Sequence, residues 1–194
     1  MEVTDAAIVA QVLAGDRDAF RVLVDRHSRN LYYVAYRMTG NEQDSEEIVQ
    51  ETFLRAYKAL ERFEMRANFG TWIYRIAVNR TLDFLSTKKT HMQKTYQITD
   101  EPDPEKNHEI QVETSQPGPD RMLLSAEMKA KMTQALGLLT AVERVAFTMR
   151  HMEGRSVEEI SQTLKLKNSA AKNTIFRAVR KLRQQLEPFA SVAR

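Results

Sequence analysis

A tryptophan, an arginine and an asparagine recur about one helical turn apart in the segment FGTWIYRIAVN, which covers residues 69–79. If this segment is helical, Trp72, Arg75 and Asn79 share one face of it. Aromatic planes stack on any unpaired base, and a guanidinium group binds phosphate. A tryptophan is equally typical of a hydrophobic core, and an arginine of a solvated surface. This face alone therefore leaves both interpretations open.

A short polar loop, residues 64–68, leads directly into this segment. Asn68 is predicted to be the N-cap of the helix, because its side chain can accept a hydrogen bond from an unpaired amide of the first turn. Apolar residues at helical spacing predict a core-facing stripe beside the polar face, made of Phe69, Ile73, Ile76, Ala77 and Phe84. The loop and the helix together are the stretch around which the rest of the chain is organised.

The preceding helix, predicted for residues 42–61, has a charged outer face that contains one apolar residue. Its buried stripe is predicted to be Ile48, Val49, Thr52, Phe53, Ala56, Tyr57 and Leu60. Leu54 lies instead among the charges of the solvent side. A single exposed leucine needs no explanation, but a leucine surrounded by charges of both signs also fits a helix that docks into a partner's groove. Both interpretations stay open.

The C-terminal part of the chain has the pattern of a helix-turn-helix. Two capping boxes, Thr140–Glu143 and Ser156–Glu159, predict helix starts. A short helix over Val157–Leu164, a turn over residues 165–168 and a longer last helix then follow. The cations of the turn and the last helix, which precede the first acid at Glu187, are Lys165, Lys167, Lys172, Arg177, Arg180, Lys181 and Arg183. Because this motif places its last helix in the major groove, the sequence predicts duplex DNA binding that depends strongly on salt.

Composition excludes several classes of protein. The chain has 194 residues, no cysteine and a formal net charge of only +3. Without cysteine it can form neither a disulfide nor a thiolate metal site. No apolar run predicts a membrane span, and the N-terminal segment lacks the pattern of a secretory signal. The cytoplasm is therefore the expected location.

The remaining pattern predicts an all-α protein of two small helical domains. Residues 4–38 are predicted to form two helices separated near Gly15, and no alternating pattern predicts a strand. Residues 90–119 hold most of the prolines, many acids and few large apolar side chains, which is typical of a flexible linker. The predicted domains are therefore residues 1–89 and 120–194.

The chain resembles bacterial RNA polymerase sigma factors of the extracytoplasmic-function (ECF) group, within the sigma-seventy family. The resemblance rests on AFRVLVDRHSRNLYYVAYRMTGNEQDSEEIVQETFLRAYKAL, FGTWIYRIAVNRTLDFL and LTAVERVAFTMRHMEGRSVEEISQTLKLKNSAAKNTIFRAVRKLR, which cover both domains. It implies a transcription initiation factor that binds core RNA polymerase, directs it to promoters and assists strand opening. It also implies no enzymatic activity, no cofactor and no membrane insertion, a free protein that is monomeric, and an anti-sigma factor as an additional partner.

The resemblance also implies a role for each matching position. The surface implied to dock on the clamp helices of the polymerase largest subunit consists of Asp44, Glu47, Gln50, Glu51, Leu54 and Arg55. The residues implied to capture flipped bases of the minus-ten element are Arg66, Asn68, Trp72, Arg75, Asn79 and Arg80. The residues implied to contact the minus-thirty-five duplex are Lys167, Ser169, Lys172, Asn173, Phe176, Arg177 and Arg180.

The turn of the helix-turn-helix departs from the family pattern. Lys165 stands where family members often have glycine, and the turn reads KLKNSAAKNT. The cap of the last helix is therefore predicted to shift to Asn168 or Ser169.

Two other functions fit parts of the sequence. A helix-turn-helix regulator would bind DNA unaided as a dimer, but it would have no need of a strand-capturing face in the N-terminal half. A helical metalloenzyme is suggested by Glu46, Glu47 and Glu51, yet such sites use Glu-x-x-His pairs on helices, and none of the predicted helices carries one.

Overall fold

The computed structural model describes residues 3–65, 67–96 and 134–190, and the secondary structure within those ranges is entirely helical. The α-helices with both ends in the described residues are α1 (Asp5–Leu13), α2 (Phe20–Thr39), α3 (Glu42–Ala59), α4 (Phe69–Tyr96), α5 (Ala141–Phe147), α6 (Val157–Leu164) and α7 (Asn168–Ala190), and residues 134–137 are also helical. The predicted all-α class is confirmed. None of the described helices combines the length and the hydropathy needed to cross a membrane.

Short irregular turns join some of these helices. Arg17–Ala19 and Leu60–Arg62 form 3-10 turns, and Thr148–Met152 forms a π-helical turn that extends α5. The chain divides into two compact units, Met1–Leu85 and Ser86–Arg194, which we call unit 1 and unit 2.

The helix ends of unit 1 follow from polar caps and one glycine. Thr4 accepts a hydrogen bond from the Ala7 amide at the start of α1. Gly40 ends α2 at φ +71°, a left-handed conformation that glycine adopts without a Cβ clash. The side chain of Asn41 then caps α3 by accepting from the Asp44 amide at 2.9 Å. The predicted breaks, near Gly15 and between residues 38 and 42, are thus confirmed.

Unit 1 is held together by one apolar core to which all four of its helices contribute. The buried members are Ile8, Val9, Val12, Phe20, Leu23, Leu31, Phe53, Ala56, Leu60, Phe69, Ile73 and Ala77. Each large side chain of this type contributes about 1.5–3 kcal/mol on burial. Tyr57, predicted to be buried, is instead 39% exposed. It lies at the edge of the stripe, where its ring packs edge-on against Phe20 at 5.0 Å and leaves its other side to solvent.

Unit 2 has an apolar core of its own, part of which lies between α7 and the segment that precedes α5. Ala135, Leu139, Ala178 and Leu182 are buried there, and Phe147 packs against them. Each unit therefore buries an apolar face of its own.

α4 is longer than the pattern predicts. It continues beyond Phe84, the last residue of the predicted core-facing stripe, to Tyr96, because residues 87–96 contain neither glycine nor proline to stop it. The predicted linker, residues 90–119, thus begins in α4 backbone, and its remainder lies outside the described residues.

Candidate functional site

The indole of Trp72 belongs to an aromatic cluster at the start of α4. Its ring centroid lies 4.8 Å from that of Phe63 and 5.7 Å from that of Phe69. Phe69 is almost fully buried, whereas Trp72 is only half-buried at the margin of the core. The sequence left open whether Trp72 is a core residue or a surface for base stacking. The structure agrees with both interpretations, because one part of the indole packs on the core and the other part reaches the surface.

The loop of residues 64–68 is fastened at both ends by this cluster. Phe63 precedes it, and Phe69 follows it at a centroid distance of 6.0 Å from Phe63. Asn68 is the predicted N-cap: its Oδ1 accepts from the Thr71 amide at 2.7 Å. Met65 is 47% exposed and adopts φ +55°, a conformation uncommon outside glycine that recurs at functional loops. Arg66 lies outside the described residues.

The polar face of α4 carries Arg75 and Asn79 in the turns after Trp72. All three side chains are half-buried. The structure therefore brings the predicted strand-capturing residues Asn68, Trp72, Arg75 and Asn79 together along the loop and the first turns of one helix.

Arg80, also predicted to capture the strand, is directed towards α3 instead. Its side chain is 18% exposed, and Nη2 lies 3.6 Å from Oε1 of Glu47. The guanidinium also lies over the ring of Phe84, 5.8 Å from its centroid. In this arrangement Arg80 ties two helices together and is not presented beside Trp72.

Of the predicted docking residues on the outer face of α3, Glu47, Gln50, Leu54 and Arg55 are exposed, whereas Asp44 and Glu51 are half-buried. Leu54 is 57% exposed, which confirms its unusual position among charges. Arg55 Nε donates to Glu51 at 2.8 Å, and Arg55 Nη1 lies 3.8 Å from Asp83 on α4. The hydrogen bond from Arg55 holds the pKa of the Glu51 carboxyl below its ordinary value. The leucine is therefore bordered by charges already held in place.

Sequence reasoning missed an aromatic groove between α2 and α3. It has a volume of about 350 Å³, and its walls include Arg29, Tyr32, Tyr33 and the predicted docking residue Gln50. Tyr33 is 44% exposed, and the Arg29 guanidinium lies 5.8 Å from the centroid of its ring. The adjacent tyrosines Tyr32 and Tyr33 were the signal in the sequence. Neighbouring residues of a helix point in different directions, so at least one of the two rings must face away from the core of the domain.

In unit 2, both predicted capping boxes are present. Thr140 and Ser156 each accept from the amide three residues on, and Glu143 and Glu159 each accept from the corresponding cap amide. The predicted short helix begins and ends at the predicted residues, Val157–Leu164.

The turn after α6 has the geometry of a Schellman motif, in which the residue after the cap is left-handed. Lys165 occupies that position at φ +54°, and the Leu166 amide donates to the Ser161 carbonyl at 2.9 Å. The conformation explains why glycine suits this site. The Ala171 amide donates to the Lys167 carbonyl, which accepts the first hydrogen bond of α7, so the N-cap is Lys167. The prediction that the cap shifts to Asn168 or Ser169 is therefore wrong by at least one residue.

α7 exposes one polar face over its first turns. All seven residues predicted to contact the duplex are exposed, namely Lys167, Ser169, Lys172, Asn173, Phe176, Arg177 and Arg180. Phe176 is 66% exposed, the largest exposed fraction among the large apolar residues described. The opposite side of the helix carries the buried residues Ala171, Ala178 and Leu182. The structure thus presents the predicted residues together.

A buried carboxylate fixes α7 to α5. Glu143 has a side chain that is 5% exposed, and Nζ of Lys181 donates to its Oε2 at 2.7 Å. Burial alone would raise the pKa of this carboxyl, but the hydrogen bonds from Lys181 and from the Thr140 amide outweigh it and lower the pKa. Arg177 Nε lies 3.8 Å from Oε1 of the same carboxylate.

The described parts of the chain contain no group of three or more acidic or histidine side chains placed to hold a metal ion. Glu47 and Glu51, which suggested a metalloenzyme, are used in ion pairs with Arg80 and Arg55.

Two family models match the chain. The Sigma-70 region 2 model matches residues 23–90, and the Sigma-70 region 4 model matches residues 129–182. Curated relatives match nearly the whole chain. The ECF RNA polymerase sigma factor SigW of Bacillus subtilis is 30% identical over 186 residues, which is 96% of this chain and 98% of the relative. The ECF RNA polymerase sigma-E factor of Haemophilus influenzae is 28% identical over 192 residues, 96% of this chain and 97% of that protein.

Solved structures show the same fold. CnrH in complex with the cytosolic domain of CnrY aligns with a TM-score of 0.60 at 24% identity, over 95% of this chain and 97% of that one. RpoE in complex with the anti-sigma factor NepR from Bartonella quintana aligns with a TM-score of 0.60 at 20% identity, over 87% and 96%.

Proposed function

This chain belongs to the ECF group of RNA polymerase sigma factors, and we propose that its exposed surfaces divide the work of promoter opening among them. The protein is a transcription initiation factor that binds core RNA polymerase, directs it to specific promoters and assists strand opening. It is not an enzyme, because sigma factors lend specificity and strand capture to a polymerase that carries out the chemistry.

The outer face of α3 is the docking surface for the clamp helices of the polymerase largest subunit. Leu54 supplies an exposed apolar anchor, and the Glu51–Arg55 pair beside it supplies charges in fixed positions. Interfaces of this kind place one apolar side chain at the centre of a polar rim. The aromatic groove beside Gln50 extends this surface towards α2.

The loop of residues 64–68 and the adjoining face of α4 capture unpaired bases of the minus-ten element. The observation that carries this proposal is the half-buried indole of Trp72, supported from below by Phe63 and Phe69. A base expelled from the duplex loses stacking energy of a few kcal/mol. Stacking on an aromatic side chain returns about 1–3 kcal/mol per base, which offsets much of that cost.

The exposed face of α7 binds the minus-thirty-five element as duplex. Lys172, Arg177 and Arg180 are exposed on this face, and their cations would contact phosphates once the helix enters a major groove. Phe176 projects from the same face, where an apolar side chain can contact the methyl group of thymine.

Two further assignments rest on the family. The protein acts in the cytoplasm, where RNA polymerase works, and is monomeric before it binds the polymerase. An anti-sigma factor that covers the exposed apolar side chains of unit 1 would keep it inactive. Leu54 in the proposed docking surface and Tyr33 in the adjoining groove are exposed side chains of this kind.

Run-off transcription with purified core polymerase tests the function as a whole. The template is the region upstream of the protein's own operon. A transcript is expected only when core polymerase and this protein are both present. If core polymerase with this protein yields no more transcript than core alone on this template and on a set of ECF promoters, the assignment as an initiation factor fails.

A further inference from the structure

The carboxylate of Asp5, at the start of α1, binds two neighbouring side chains of α2. Its Oδ1 accepts from Arg26 Nη1 at 2.8 Å, and its Oδ2 lies 2.8 Å from Nε2 of His27. Burial raises the pKa of Asp5, but the hydrogen bonds from Arg26 and His27 outweigh this effect, and the net result is a lowered pKa. The carboxyl is therefore ionised at neutral pH. An ionised carboxylate only accepts hydrogen bonds, so Nε2 of His27 carries the proton and donates.

The other side of the His27 ring lies against the first turn of α4. Its centroid is 5.4 Å from that of Phe69. A Cβ atom placed on Gly70 would lie 3.2 Å from Cε1 of His27, closer than side chains normally approach. Alanine is the better helix former, and Gly70 does not have a left-handed backbone that would require glycine. The imidazole therefore leaves little room for a side chain at this position unless the ring moves by a few tenths of an ångström.

The first turn of α4 in turn fixes the loop before it. Phe69 is 2% exposed and contacts both Phe63 and Trp72, and Asn68 caps the turn that contains Gly70. Any shift of the backbone at Gly70 therefore moves the loop end and the indole together.

We propose that α1 acts through Asp5 and His27 as a positioning element that holds the start of α4 where it can receive an unpaired base. The proposal rests on the assignment of the loop and Trp72 to strand capture. It adds a role for α1, which lies before residue 23, where the region 2 match begins. Asp5 and His27 are positioning residues and touch no nucleotide themselves.

The test uses holoenzyme formed from core polymerase and the full chain, with strand opening followed by permanganate reactivity of thymines in the opened region. Gly70→Ala is expected to slow opening about tenfold, because the new Cβ forces a shift of a few tenths of an ångström between the ring and α4, and a misplacement of about 1 Å can cost about 100-fold in rate. Asp5→Ala is expected to slow it less, because the ring loses its anchor but keeps its packing. The double variant is expected to open faster than Gly70→Ala alone, because the freed imidazole can move the few tenths of an ångström that the new Cβ requires.

Gly137→Ala is the matched control. A Cβ at Gly137 would meet nothing closer than 3.9 Å, so the same substitution in unit 2 should leave opening unchanged. Affinity for core polymerase, which depends on α3, reports whether unit 1 is folded in each variant. Should Gly70→Ala fail to fold, the same rescue by Asp5→Ala is read from the melting temperature, followed by fluorescence of the single tryptophan.

Additive losses in the double variant, or a Gly70→Ala holoenzyme that opens DNA at the wild-type rate, would overturn the proposal. Trp72→Ala separates this outcome from a failure of the underlying assignment. If Trp72→Ala slows opening and Gly70→Ala does not, strand capture stands and the positioning role falls. If neither variant slows opening, the assignment of the loop and the indole is itself wrong.

Discussion

At the scale of single residues, Trp72 both packs on the core and offers a surface for base stacking, and a substitution will affect both roles together. Its indole packs at a tilt against the rings of Phe63 and Phe69, and its remaining surface faces solvent. We expect Trp72→Ala to slow strand opening by about 5- to 150-fold, which corresponds to the loss of about 1–3 kcal/mol of base stacking. Binding of closed promoter duplex should change little, because unit 2 makes those contacts. Permanganate footprinting measures the first quantity, and a gel shift of the closed complex measures the second.

Phe84→Ala provides the control for lost packing. Phe84 is a half-buried aromatic residue on the same helix, beyond the proposed capture face, and it contacts Arg80. If the two variants lose similar stability and slow opening equally, the effect of Trp72→Ala reflects packing alone and the indole is not a stacking platform.

Glu143 is the residue whose ionisation links pH to the stability of unit 2. Its pKa is lowered in the folded protein, so the stabilisation is fully present above the ordinary glutamate pKa of about 4.3 and is lost as pH falls through the folded pKa. Glu143→Gln keeps a capping side chain but removes the charge that holds Lys181. It should cost about 1–2 kcal/mol at pH 7, and the difference from wild type should shrink below about pH 4.

Urea unfolding can separate the two units in this experiment. The single tryptophan lies in unit 1, so its fluorescence should be unchanged by Glu143→Gln, whereas the circular dichroism of the helices should show the weakened unit 2. Glu159→Gln is the matched variant, because Glu159 fills the same capping position in α6 but is about half exposed. A loss as large for Glu159→Gln would mean that capping, not the buried pair with Lys181, explains the effect.

At the scale of elements, caps whose hydrogen bonds close within a few residues were predicted correctly, whereas the start of α7 and the end of α4 were not. Capping boxes and the Asn68 cap are complete within four residues of sequence, and all three form the predicted hydrogen bonds. The end of α4 was misplaced because loss of apolar periodicity does not stop a helix that contains no breaker. Lys165 in a left-handed turn escaped prediction for a related reason, since the fold imposes that conformation on a residue that does not favour it.

Contacts between elements account for what the sequence could not predict of the site. Whether a charge on a helix reaches solvent or a neighbouring helix depends on how the helices pack, so Arg80 could not be assigned to Glu47 from spacing alone. The exposed face of α7 could be predicted from the sequence because helical periodicity alone places its seven residues away from the buried stripe. The predictions that held are those that a single helix determines.

Leu54 tests the role assigned to α3. We expect Leu54→Glu to weaken binding to core polymerase by about 30-fold or more, since loss of a central apolar anchor costs about 2 kcal/mol or more. The fold should be preserved, because the side chain is 57% exposed and glutamate is as good a helix former as leucine. Co-elution with core polymerase on a sizing column and the melting temperature provide the two measurements.

Leu13→Glu is the comparison for this variant. Leu13, at the end of α1, is 46% exposed and lies outside the proposed docking surface. Normal co-elution is expected for it. If the Leu54→Glu protein also co-elutes normally, α3 does not carry the polymerase contact.

At the scale of the whole molecule, the distribution of charge matters more than its total. The formal net charge is only +3, yet the exposed face of α7 gathers several cations, while α3 presents charges of both signs. A protein of this kind should bind duplex weakly by itself and tightly only when the polymerase adds its own contacts. A stand-alone helix-turn-helix regulator would bind its operator tightly without any polymerase, so the comparison discriminates between the two functions.

The salt dependence of promoter binding makes this comparison quantitative. Each phosphate neutralised by a cation contributes about one to the slope of log affinity against log salt concentration. Arg177 is 61% exposed, so Arg177→Ala should weaken holoenzyme binding and reduce that slope by about one. Arg17→Ala removes the same charge from an exposed site in unit 1 and should leave the slope unchanged. A slope that Arg177→Ala does not alter would place this guanidinium with Glu143, 3.8 Å away, instead of with phosphate.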